Sequence, residues 1–93
     1  MSTPQLYPLT QYGLLAEKHW REFCPAMVKQ FKTEGRLAEA LWEAQETTLD
    51  EMEALTRKLE TEQKLTPQQA ERAAWEMIRE KYILLPAEES LSV

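Results

Sequence analysis

Few side chains in this 93-residue chain are equipped for chemistry. Its one histidine, His19, and its one cysteine, Cys24, stand five residues apart in AEKHWREFC. A thiol becomes a nucleophile only when a base reaches it, and two positions five apart on a helix do not share a face well. The spacing therefore favours Cys24 as a small apolar filler and His19 as a packed or surface imidazole. A di-iron bundle needs Glu-x-x-His pairs on facing helices, and one histidine cannot supply two. No glycine-rich phosphate loop is present. These features point away from an enzyme, and they suggest neither a cofactor nor a metal.

The strongest pattern is acidic. In LAEALWEAQETTLDEMEAL, the carboxylates Glu39, Glu43, Glu46, Asp50 and Glu53 recur at alternating spacings of four and three. On a helix they occupy an arc of about 80°. The row Leu37, Leu41, Ala44, Thr48, Met52, Leu55 and Leu59 lies about 180° away. The acids thus read as the solvent face of an amphipathic helix. Like charges at i,i+4, as in Glu39/Glu43 and Glu46/Asp50, each cost a few tenths of a kcal/mol, and no lysine balances them. Trp42 and Leu49 lie only about 60° to 80° from the centre of the acidic arc, off the apolar row. An aromatic anchor rimmed by charge suits a protein interface. The candidate interaction patch is therefore Trp42, Leu49, Glu39, Glu43, Glu46, Asp50 and Glu53. Its rival explanation is burial of Trp42 and Leu49 inside the monomer, which predicts contact between Trp42 and Tyr82, Leu84 or Leu85.

The elements that must position these residues are helices. Only two glycines occur, and Ala, Leu, Glu, Gln and Lys dominate a chain with 43% hydrophobic content. One all-α domain is expected. The opening MSTPQLYP, with two prolines, reads as an extended lead-in over residues 1–9. A first helical pattern covers residues 10–34. Pro25 interrupts it, leaving either one kinked helix or two short ones meeting at Cys24 and Pro25. Gly35 fits a left-handed cap. A second helix over residues 36–62 would be about 40 Å long. Thr66, Pro67 and Gln69 form a start signal with a capping box, opening a third helix over residues 67–83. Residues 86–93 read as a loosely held tail. With short turns, the simplest architecture is an antiparallel three-helix bundle with a long central helix and a first helix kinked at Pro25.

Sixteen acidic against eleven basic side chains disfavour direct nucleic-acid binding, and eight of the acids fall within residues 36–64 against four bases. A helix-turn-helix reader is a weaker option, because PQQAERAAWEMIREKY balances three acidic against three basic side chains and offers no net positive charge to a phosphate backbone. No apolar run approaches the roughly 20 residues of a membrane span, and the start lacks a signal peptide's features. The expected compartment is the cytoplasm.

The order of Tyr12-Gly13, Pro25, Gly35-Arg36-Leu37 with Leu41, Leu65-Thr66 and Ala74-Trp75 resembles the small TnpV-type proteins encoded on bacterial transposons, across roughly residues 12 to 78. In the last helix that family's arginine, methionine and asparagine cluster is replaced by WEMIREKY. The resemblance implies an accessory protein of a mobile element and supplies no catalytic residues. The expected function is a small helical protein–protein interaction module, self-association into a homodimer being one form. The alternative is an acidic decoy, in which the row Glu39 to Glu53 occupies a basic nucleic-acid-binding protein.

Overall fold

Thr10 starts the first helix. Its side chain accepts a hydrogen bond from Tyr12 N at 3.3 Å, satisfying one of the free donors of a helix start. The computed structural model describes residues 8–88, which form α1 (Gln11–Phe23), α2 (Pro25–Thr33), α3 (Leu37–Glu62) and α4 (Pro67–Tyr82). All regular structure among the described residues is helical.

The expected kinked helix over 10–34 is replaced by two helices. Cys24 leaves helical geometry at φ −130° and ψ 53° while its N–H still bonds Trp20 O at 2.7 Å. Pro25 then takes the first position of α2, where its missing donor has no carbonyl to serve. At the other end, Gly35 adopts φ +69°. The bonds Gly35 N to Lys32 O (3.0 Å) and Arg36 N to Phe31 O (2.8 Å) complete a Schellman cap. The α4 start is as expected: Gln69 N donates to Thr66 Oγ1 at 3.2 Å, and Thr66 N donates to Gln69 Oε1 at 3.1 Å.

Two linked cores flank α3. Toward its N-terminal half, Leu41 and Ala40 pack with Ala16, Trp20, Cys24, Val28 and Ile83. Toward its C-terminal half, Met52 and Leu59 pack with Ala70, Ala74 and Ile78. Trp75 and Tyr82 touch both clusters. The small, fully buried Ala70 and Ala74 let α4 lie close along α3. The molecule is flat, with Cα extents of 46 × 44 × 15 Å and a radius of gyration of 15.5 Å. A compact domain of this length has a radius near 12 Å. The bundle expected around one axis is thus a broad, thin arrangement of four helices on a central spine.

The spine's buried stripe includes a residue outside the expected apolar row. Gln45 is 1% exposed. Its Oε1 accepts from Thr10 N, and its Nε2 donates to Pro8 O and Glu46 Oε2, both at 3.1 Å. A Cβ built on Gly13 would run into Gln45 Oε1 and the Leu9 side chain. α1 can approach α3 here only because residue 13 has no side chain.

The segment after α4 is anchored where a loose tail was expected. Trp20 Nε1 donates to Ile83 O at 3.0 Å, His19 Nε2 donates to Leu85 O at 2.7 Å, and the Cys24 thiol donates to Pro86 O at 3.5 Å. The Glu88 carboxylate accepts from Ala26 N and Met27 N, both at 3.1 Å. α2 has no side-chain cap of its own, so a residue 62 positions away caps it. The remainder of that tail, residues 89–93, and the lead-in residues 1–7 lie outside the described residues.

Cys24 is consequently sheltered, and burial, with the Glu88 carboxylate nearby, pushes its thiol pKa up. It is expected to react slowly with a disulfide reagent in the folded protein. Glu88→Ala should speed labelling roughly fivefold to tenfold, the equivalent of losing a cap of about 1 kcal/mol. Equal rates in the two proteins would contradict the capping role.

Candidate functional site

His19 and Cys24 do not form a nucleophile–base pair. Each donates its hydrogen to a different backbone carbonyl, and the raised thiol pKa opposes activation. The His19 ring rests on Phe23, centroids 4.6 Å apart. Among the described residues no group of three or more His, Cys, Asp or Glu side chains is placed to hold a metal, and no helix is long and apolar enough to cross a membrane.

The most distinctive surface lies where α1, α3 and α4 converge. Tyr12, near the start of α1, stacks on Trp75 of α4 with centroids 5.2 Å apart and planes 24° from parallel. Stacks of this kind contribute beyond area burial. Tyr12 and Glu71 line two open grooves. One runs between α1 and α4 past Leu15, Glu71 and Arg72. The other lies against α3, with Leu49 and Met52 as its apolar part and Thr56, Glu53, Arg57, Glu60 and Glu71 around it. Leu15 is 38% exposed. Burial, with the negative charge of Glu71, raises the Tyr12 phenol pKa.

The candidate patch is divided among these surroundings. Leu49 and Glu53 belong to the groove beside Tyr12. Trp42 is half-buried, two turns earlier on the same side of α3. Glu39 pairs with Arg36 at 3.5 Å, and Glu53 with Arg57 at 3.3 Å. Glu46 accepts the Gln45 amide, Asp50 is exposed, and Glu43 borders a separate cleft with Trp20, Phe31 and Tyr82. The seven residues therefore meet different surroundings along α3.

The expected packing of Trp42 on the end of α4 is redirected. Tyr82 donates its hydroxyl to Glu51 and lines a cleft with Ala44 and Thr47. These positions lie roughly 140° to 200° around α3 from Trp42. The carbonyls of Ile83 and Leu85 then turn toward α1. Position along the spine is close to the expectation, but the flank is the opposite one. Periodicity within α1 carries no signal that marks Tyr12 for this contact, because its role depends on how α1 crosses the other two helices.

No family model matches this chain, and neither does any curated protein or solved structure.

Two phenols are held protonated. The hydrogen bond to the Glu51 carboxylate, then burial, raises the Tyr82 pKa, while the same bond, helped by Lys81 at 3.4 Å, lowers that of Glu51. An alkaline titration should show two of the three tyrosines ionising later than free tyrosine, with Tyr12→Phe and Tyr82→Phe each removing one late component. The folded state binds these protons more tightly than the unfolded state. Their contribution to stability is thus complete below about pH 10 and disappears as pH rises through the raised values. The Glu51 contribution has the opposite sense, present above its ordinary value of 4.5 and lost as pH falls through the lowered one. Three tyrosines ionising together at the ordinary value would refute the assignment.

Proposed function

We propose that this chain is a helical protein–protein interaction module, an accessory protein of a mobile element, that takes its partner on the grooves beside Tyr12. The observation supporting this reading is the Tyr12–Trp75 stack with half-exposed Leu15 and Leu49 on open surfaces at the three-helix junction. Aromatic anchors beside apolar grooves with a charged rim have the composition of an interface core. The grooves are open troughs, suited to a protein element laid across them, whereas small-molecule sites bury most of their ligand.

The test compares proteins recovered by affinity capture on the wild-type chain and on Leu15→Arg and Leu49→Arg variants whose helicity is unchanged. Loss of a defined set of proteins from both variants supports the reading. Recovery of the same set by all three baits would sink it.

A second reading, the acidic decoy, draws support from Glu43, Glu46 and Asp50, which have no basic partner among the described residues. Their spacing along α3 averages about 5 Å, comparable to phosphate spacing along one DNA strand. Charge reversal at Glu43 and Glu46 should abolish capture of a basic nucleic-acid-binding protein at low salt. Unchanged capture would end that reading.

A further inference from the structure

We propose that the groove beside Tyr12 is filled by α1 of a second copy of this chain, placing Leu14 and Lys18 of one protomer against Leu49, Glu60 and Glu71 of the other. This rests on the reading of the junction as a protein-binding surface and names its occupant.

The groove's charges specify what it lacks. Arg57 is already taken by Glu53 at 3.3 Å. Glu60 from α3 and Glu71 from α4 both line the groove, and neither has a basic partner among the described residues. Two unmatched carboxylates beside the apolar Leu49 and Met52 call for an occupant with an apolar side chain and a free cation close together.

The chain carries such a surface on α1. Gly13, Ala16 and Trp20 face inward, so Leu14 and Lys18, one turn apart, point away from α3. Leu14 is 56% exposed. Lys18 is exposed and has no ion pair among the described residues, whereas Arg21 is engaged by Glu17 at 2.9 Å. Leu15, which lines the groove on the α1–α4 side of the junction, lies about 60° around α1 from Lys18, so the donor strip adjoins the junction. Contiguity lets a two-fold axis satisfy both at once, as an isologous dimer requires.

Sedimentation equilibrium from micromolar to near-millimolar protein at low salt tests the proposal. The wild type should dimerise. Lys18→Glu, and separately the double variant Glu60→Lys/Glu71→Lys, should each weaken the dimer about tenfold or more, two symmetric charge contacts being lost. Mixing the two variants should restore it, since every reversed charge then meets its complement. All three substitutions lie on exposed or half-exposed helix surface, and circular dichroism verifies that each variant folds. A strictly monomeric wild type, a dimer indifferent to either variant, or a mixture that fails to recover would each overturn the proposal. So would a dimer broken only by Met77→Glu, which lies on the opposite flank at 61% exposure. A monomeric wild type whose Leu49→Arg variant still loses a captured protein would reject the second copy while preserving the interaction reading.

Discussion

Trp20→Ala is expected to cost about 3–5 kcal/mol, enough to remove most of the stability of a small domain. Trp20 is 4% exposed at the centre of the larger core and stacks with Phe31 at a centroid distance of 6.2 Å. It also donates to Ile83 O. Truncation would leave a cavity between α1 and α2, orphan that carbonyl, and free one of the points holding residues 83–88. Trp20→Phe separates the terms: it keeps most of the volume and loses the hydrogen bond, and should cost about 1–2 kcal/mol. Urea unfolding followed by circular dichroism measures both. A Trp20→Ala protein within 1 kcal/mol of the wild type would mean that Trp20 does not organise this core.

The second large effect concerns Gln45. Gln45→Ala should cost about 2–3 kcal/mol, because Thr10 N and Pro8 O lose their partner at the α1–α3 crossing. Gly13→Ala alone should also destabilise, despite alanine's better helix propensity of about 1 kcal/mol, since its Cβ would meet the Gln45 amide and Leu9. The two changes should not add. With Gln45 truncated, one of the two side chains that a methyl group at residue 13 would meet is gone and Leu9 alone has to shift, so the double variant should be more stable than the sum of the singles implies. Additivity would show that the two residues do not share this contact.

The legible parts of the fold are those governed by local chemistry. Thr66, Pro67 and Gln69 specify the α4 start through bonds within four residues, and Gly35 specifies a left-handed cap that no distant group has to complete. Pro25 was legible as an interruption. Whether it bends or ends a helix depended on the φ and ψ of Cys24, which the docked segment 83–88 helps to hold. Gln45 escaped the apolar row because residue type marks it as solvent-facing, while the buried stripe is rotated toward α1 and supplies the backbone partners that its amide needs. The acidic row was read correctly as lying away from the apolar one, yet its members meet different neighbours, since adjoining helices divide the solvent face unevenly. Tyr12 with Trp75, and Glu88 with α2, join residues more than 60 positions apart; periodicity within one helix carries no information about such meetings.

The borrowed cap on α2 bears on the order in which the molecule can be made. The ribosome adds Ala26 and Met27 some 60 residues before Glu88, so during synthesis the α2 amides of Ala26 and Met27 must be served by water. Trp20, His19 and Cys24 likewise wait for the carbonyls of residues 83 to 86. The earliest helices to emerge are therefore the last to be secured, whereas the α3–α4 hairpin, with its own capping box and Ala-lined seam, can close as soon as it is free. A released chain that ended before residue 83 would hold the hairpin's own seam and cap but an unfinished first half, a state that quality-control proteases can distinguish from the completed protein.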